Sequence, residues 1–229
     1  MKSYLIIGGS SGIGRSLSQL LIEDGHEVYG TYHSNLPDFN QNKFQKLDVL
    51  EGEINLGSLP DKLDGLVYCP GSINLKPFGR IKAEEFVDDY RLQVIGAIKA
   101  IQSVMPLLKK PDQSSIILFS TVAVQHGFNF HSQVSASKGA IEGLTKALSA
   151  EFAPKVRVNA IAPSLTHTNL SAKLLSSDQK IEANAQRHPL NRIGKPKDIA
   201  EMANFLLSEK SSWITGQVIP IDGGMSAIK

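Results

Sequence analysis

Seven residues near the start of the chain, Gly8-Gly9-Ser10-Ser11-Gly12-Ile13-Gly14, stand between the apolar run Leu5-Ile6-Ile7 and apolar residues at helical spacing, Ile13, Leu17, Leu20 and Leu21. A short apolar run ended by glycine reads as a buried strand. The chain must then pass from strand to helix within a few residues, through backbone conformations that glycine permits. A side chain at Gly14 would hold the helix away from the sheet. The start of a helix offers free N–H groups and a partial positive charge to a phosphate. The spacing is G-x-x-x-G-x-G rather than G-x-G-x-x-G. Gly8, Ser10, Ser11, Gly12, Ile13 and Gly14 are therefore expected to receive the pyrophosphate of an adenine dinucleotide. A loop that is merely flexible is the alternative that glycines alone leave open.

The same alternation continues. Strands are expected at Glu27 to Tyr32, Phe44 to Val49, Leu66 to Cys69, Ser115 to Phe119, Val156 to Ile161 and Gln217 to Ile221. Helical patterns run from about Ala83 to Leu108, from Ser135 to Phe152 and from about Pro196, where proline suits a first helical turn. Strands alternating with helices predict parallel βαβ units. The expected fold is α/β, a Rossmann-type doubly wound parallel sheet of about seven strands with helices on both faces. Ligands in such sheets bind beyond the carboxyl ends of the strands.

Bulk properties exclude more than they select. A chain of 229 residues that is 41% apolar suits one domain spanning 1–229, with a substantial core, or a large α/β unit carrying a small lid, expected at about 165–190. A net charge of +2, with no basic run longer than Lys109-Lys110, argues against a nucleic-acid partner. The single Cys69 precludes an internal disulfide and fits a reducing compartment. No apolar run is long enough to span a membrane, and the apolar run at Leu5 is too short for a signal-peptide core. The expected location is the cytoplasm. No metal site is expected.

The end of the second strand bears on the choice of dinucleotide. An acid there would accept from the adenosine ribose diol of NAD. The residues are Gly30-Thr31-Tyr32-His33-Ser34, with no acid. His33, Ser34 and Ser11 can donate to a 2′-phosphate, so NADP(H) is expected over NAD(H).

Taken together, these motifs resemble those of the short-chain dehydrogenase/reductase family, over essentially the whole chain. Gly8 to Gly14 resembles its cofactor turn, and Asp48-Val49 its adenine-contacting pair. Tyr68-Cys69-Pro70-Gly71 stands in place of an Asn-Asn-Ala-Gly strand end and keeps only the glycine. Asn159-Ala160-Ile161-Ala162-Pro163-Ser164 resembles the stretch that flanks the nicotinamide, and Thr168 the threonine that follows it. Arg192-Ile193-Gly194, Asp198-Ile199-Ala200, Thr215-Gly216-Gln217 and Asp222-Gly223-Gly224 resemble the C-terminal signature. The resemblance implies that Cys69, Pro70, Gly71, Pro163, Ser164, Thr166 and Thr168 lie at the cofactor. It also implies homo-oligomers, dimers or tetramers, formed through the two long helices. The small residues Ala140, Gly143 and Ala147 are compatible with close helix packing.

The family reaction is hydride transfer between a nicotinamide and an alcohol or carbonyl, assisted by Asn, Ser, Tyr and Lys. The Tyr and Lys lie four apart on one helix and share a face. Lys138 matches the lysine, expected to bind the nicotinamide ribose, but the residue four before it is Val134. Thr121 stands in place of the serine, and Gln93 in place of the asparagine. Valine has no proton to give. A positioned general acid contributes about 10²–10⁴-fold, so its loss need not abolish turnover when the reactants are still held together. His131, three residues before Val134, is one candidate donor and an ordered water is another. The other reading of His131 is an exposed or loop-packing residue. Ser135 and His126 are close in sequence to the same region. His26, His167 and His188 are expected to be structural or solvated, and Cys69 a small buried strand residue. Leu170, Leu174 and Leu175 either line an apolar substrate pocket or pack the lid down.

Two functions remain. One is an NADP(H)-dependent reductase of a small or medium carbonyl compound, with Thr121, Lys138, Gln93 and His131 as catalytic residues. The other is a protein that binds NADP(H) without turning it over, as a redox sensor or assembly subunit.

Overall fold

The computed structural model describes residues 1–228. Seven strands, β1 (Ser3–Ile7), β2 (Glu27–Tyr32), β3 (Phe44–Lys46), β4 (Gly65–Tyr68), β5 (Ser114–Phe119), β6 (Val156–Pro163) and β7 (Val218–Ile221), form one sheet in the order β3-β2-β1-β4-β5-β6-β7. Every neighbouring pair is parallel, with Leu5 opposite both Tyr29 and Leu66. The α-helices are α1 (Gly12–Glu23), α2 (Ala83–Tyr90), α3 (Gly96–Leu108), α4 (Ala123–His126), α5 (Ser132–Phe152), α6 (Asp178–Ala185) and α7 (Pro196–Leu207). The expected doubly wound α/β fold is the one found. Strand order reverses between β1 and β4, which opens a crevice at their carboxyl ends.

Both faces of the sheet are covered, so its strands are apolar on both sides. Leu5, Ile7, Leu66, Ile116 and Leu118 pack with Ala97, Ala100, Ile101, Val104 and Ile141 of α3 and α5. The alternate residues Tyr4, Ile6, Val67, Ile117 and Phe119 pack with Leu17, Leu21, Ile199, Ala203 and Leu206 of α1 and α7. This is the period-two alternation of a strand, with both phases buried.

Element boundaries depart from the sequence pattern in places with identifiable causes. The third strand ends at Lys46 rather than Val49, because the Asp48 side chain accepts the Leu50 N–H at 2.9 Å and turns the chain away. β6 runs on to Pro163, paired with Ile221. α5 starts at Ser132, three residues early, with the Ser135 N–H on the His131 carbonyl. The pattern from Ala83 to Leu108 is helical throughout, but Arg91–Ile95 is a π segment between α2 and α3. The Tyr68 hydroxyl donates to the Leu92 carbonyl at 2.6 Å, entering the helix ladder where Gly96 has no Cβ to obstruct it.

The segment between β6 and α7 carries a 3-10 stretch, Asn169–Leu175, and then α6, whose Lys180 N–H is capped by Ser177. Leu175, Ala185 and Ile193 form a small core of its own with Leu165 and Ile181. Leu175 therefore packs this segment down, while Leu170 and Leu174 face the crevice described next.

Candidate active site

Beyond the carboxyl ends of the strands lies a cavity of about 1110 Å³. The expected cofactor and catalytic residues line it: Gly8, Ser10, Ser11, Gly12, Ile13 and Gly14 from the first turn; His33, Ser34, Asp48 and Val49 from the ends of β2 and β3; Cys69, Pro70 and Gly71 after β4; Gln93, Thr121, His131 and Lys138; and Pro163, Ser164, Thr166 and Thr168 after β6, whereas Ser135 and His126 do not. Val134 lines it too.

The glycine turn is shaped for a close approach. Gly8 and Gly12 have φ of +77° and +51°, a region other residues rarely occupy. A Cβ on Gly14 would collide with the Gly8 carbonyl oxygen. The Gly8 N–H is committed to Thr31 Oγ1 at 2.9 Å, and Ser18 Oγ holds the Gly14 carbonyl at 2.9 Å. The first N–H groups of a helix have no partner within it. Ser11 gives α1 no side-chain cap, and its first turn carries no acid. This donor set suits an anion such as a pyrophosphate, and the bare backbone leaves the space one needs.

Where β2 and β3 end, His33 Nδ1 lies 2.9 Å from Ser34 Oγ and His33 Nε2 lies 3.5 Å from Asp48 Oδ2. Arg15, on α1, stands nearby. Its guanidinium pairs with Asp38 at 2.8 Å and lies over Phe39, beside Asn35 at the neighbouring smaller cavity.

At the other end, helix α5 carries His131, Val134 and Lys138 to the cavity. Val134 is buried and presents only methyl groups. Burial pushes the Lys138 ammonium down to about 8, against the opposing effects of Asp89 and Cys69. Burial pushes the Cys69 thiol up to about 12. Cys69 is half-buried at the strand end. Thr121 Oγ1 accepts the Ala123 N–H at 3.3 Å, which leaves its own hydrogen to donate. His131 Nδ1 meets the Asn129 carbonyl at 2.8 Å, and a carbonyl only accepts, so Nε2 is the free nitrogen. The Gln93 side chain is buried; Nε2 donates to both Asp89 oxygens at 2.8 Å and Oε1 has no partner among the described residues.

Two groupings escaped the sequence. His188 is buried, not solvated, with Nδ1 on the Asn184 carbonyl at 2.8 Å and Nε2 at 2.9 Å from Ser164 Oγ. Asp89 gathers Ser72, Gln93 and Ser137. Asp89 and Gln93 are polar residues four apart on a helical stripe that continues with Ala97, Ala100 and Ile101. That pattern was the available signal.

A family model described as enoyl-(acyl carrier protein) reductase matches residues 55–226. A 3-oxoacyl-[acyl-carrier-protein] reductase of Thermotoga maritima is 30% identical over 248 residues, covering 98% of this chain and 97% of that one. The chain belongs to the short-chain dehydrogenase/reductase family. A tropinone reductase homolog of Arabidopsis thaliana is likewise 30% identical, over 98% of this chain and 92% of its own length. A short-chain dehydrogenase family protein from Francisella tularensis has a similar structure, with a TM-score of 0.87 and 29% identity over 99% of both chains. Relatives of this short-chain dehydrogenase/reductase are thus oxidoreductases across nearly their full length. Among the described residues no helix is long and apolar enough to cross a membrane.

Proposed function

We propose that this chain is an NADP(H)-dependent reductase of a small or medium carbonyl compound that works without the family's tyrosine. The observation that carries the reading is the shared cavity. The anion-binding turn, a threonine hydroxyl with a free hydrogen and a half-buried lysine all open on it. When bound, the nicotinamide supplies the hydride. Thr121 donates to the substrate oxygen and holds it. Lys138 binds the ribose hydroxyls. Leu170 and Leu174, with the segment 165–190 as a mobile lid, keep water from the apolar side of the substrate. The proton comes from Nε2 of His131 in its doubly protonated form, since Nδ1–H is given to Asn129, or from a water held at Gln93 Oε1.

NADP(H) is favoured over NAD(H) by the His33–Ser34 pair at the adenosine end. His33 and Ser34 can both donate hydrogen bonds to a 2′-phosphate, and the strand end offers no acid to repel it. We place the enzyme in the cytoplasm as a homo-oligomer that pairs through α5, where Gly143 and Ala147 are exposed and Ala140 is half-buried.

A second reading is favoured by Val134 alone: the cavity holds NADP(H) and does not turn it over. The two readings separate on NADPH oxidation against a broad panel of ketones and aldehydes, with His131→Ala and Val134→Tyr alongside. The reductase reading expects turnover by the parent chain and a gain of about 10²–10⁴-fold in Val134→Tyr. Tight NADPH binding with no turnover by the parent sinks it. Unchanged activity in His131→Ala assigns the proton to water. Tighter binding of NADH than of NADPH overturns the cofactor choice.

A further inference from the structure

Behind the cavity-lining residues Ser72 and Gln93 lies a buried carboxylate with no part in the reaction just described. Asp89 lies in the last turn of α2, against α5. Its oxygens accept from Ser72 Oγ, from Gln93 Nε2 at 2.8 Å and from Ser137 Oγ at 2.5 Å. The three donors come from the loop after β4, the π segment and α5, so one carboxylate ties together the elements that meet beneath the cavity.

The consequence lies in the two ends of an amide. With Nε2 given to Asp89, the Gln93 amide must turn its oxygen the other way. That oxygen is buried, has no partner among the described residues and faces Gly71. A Cβ on Gly71 would lie 3.4 Å from Gln93 Oε1 and 3.7 Å from Lys138 Nζ. The amide oxygen and the lysine ammonium thus border the same small space, kept open by a glycine. In most family members a tyrosine hydroxyl would neighbour the lysine; here Val134 offers methyl groups.

We propose that Asp89 is a positioning residue for the cofactor site: it fixes the Gln93 amide with its oxygen toward Lys138, and it supplies the counter-charge that keeps Lys138 an ammonium beneath a bound dinucleotide. This rests on the reading that Lys138 binds the ribose of NADP(H). Its charge balance is simple. Cys69 also neighbours Lys138, but burial holds its thiol protonated at neutral pH. Other charged groups near the start of α5 are engaged elsewhere. Glu142 accepts from Ser120 Oγ at 2.6 Å, Glu85 pairs with Lys76, and His131 donates to Asn129. His126 is exposed on α4. Asp89 is the negative group left to face Lys138.

The test is calorimetric titration of the purified chain with NADPH from pH 7 to 10, above the range in which a phosphate changes charge. Parent affinity falls as pH rises, with a midpoint near 8, as Lys138 loses its proton. Lys138→Met binds more weakly and lacks that midpoint. Asp89→Asn keeps the shape of the side chain and lowers the midpoint by about one to three pH units, the effect of removing a neighbouring opposite charge, so that the fall in affinity seen in the parent near pH 8 is absent from the titrated range. Asp89→Glu restores it. A merely structural Asp89 would lower the melting temperature and leave the midpoint in place, and that result overturns the proposal. Gln93→Met removes the amide at similar length and weakens binding at pH 7 by about fivefold. Unchanged affinity and midpoint in that variant overturn the proposal even where Asp89→Asn does not fold. Absence of NADPH binding by the parent at any pH defeats the cofactor reading itself. Binding with an unmoved midpoint defeats only the role of Asp89.

Discussion

Lys138 is a charge held where water is scarce, and that has a thermodynamic signature independent of any ligand. Its proton affinity drops from the ordinary 10.5 of a lysine to about 8 in the folded chain, chiefly through burial. Between those values the unfolded chain keeps a proton that the folded chain has released, so stability rises with pH across that window. Below pH 8 the folded chain carries the buried ammonium and is less stable for it. Lys138→Met should therefore raise the melting temperature of the ligand-free protein at pH 7, and the gain should shrink as pH approaches 10.5. Scanning calorimetry at several pH values checks this; a lowered melting temperature at pH 7 would mean that the lysine stabilises the fold. The sequence marked Lys138, Thr121 and Gln93 through their resemblance to the family's lysine, serine and asparagine. It did not reveal Ser164 against His188, because a 24-residue detour joins them and no local pattern records it. Asp89 was legible in part, as an acid on an otherwise apolar stripe, but the neighbours that satisfy it come from three separate elements.

The π segment between α2 and α3 is the element whose cause lies furthest from it in sequence. Tyr68 ends β4 and inserts its hydroxyl at Leu92, and Gly96 gives it room. Tyr68→Phe removes that donor and leaves a carbonyl that must find another partner, at a cost of about 1–3 kcal/mol. A protein of this size should then melt about 2–4 °C lower per kcal/mol. Gln93 belongs to the same segment, so NADPH binding should weaken as well. A lower melting temperature with an unchanged dissociation constant would show that the amide is set by Asp89 alone. Periodicity read the whole stretch as one helix, and its ends were right. The interruption was hidden because i to i+4 and i to i+5 ladders share one residue composition. The third strand was overread for a similar reason: Leu47 and Val49 are apolar enough for a strand, and the Asp48 turn that ends it is a side-chain geometry.

At the scale of the molecule, the sheet and its two apolar faces were the most legible feature, since burial on both sides leaves continuous apolar runs bounded by glycine and proline. The cavity follows from where the strand order reverses. A dinucleotide that binds only the folded chain stabilises it by mass action. NADPH at about 100 times its dissociation constant should add about 2.7 kcal/mol, raising the melting temperature by about 5–10 °C. Gly14→Ala forces a methyl group toward the Gly8 carbonyl and should abolish that increase. An equal increase in the variant would place the anion elsewhere.

The strand order also sets a sequence of events during synthesis. β1 can pair with β2 as soon as both have emerged, but its other edge waits for β4, whose residues begin at Gly65. The wall of the cavity that holds Pro163, Thr166 and Thr168 arrives only after β6. A nascent chain therefore carries its glycine turn long before it can grip a dinucleotide, and the ligand can rescue only molecules whose synthesis has passed Thr168.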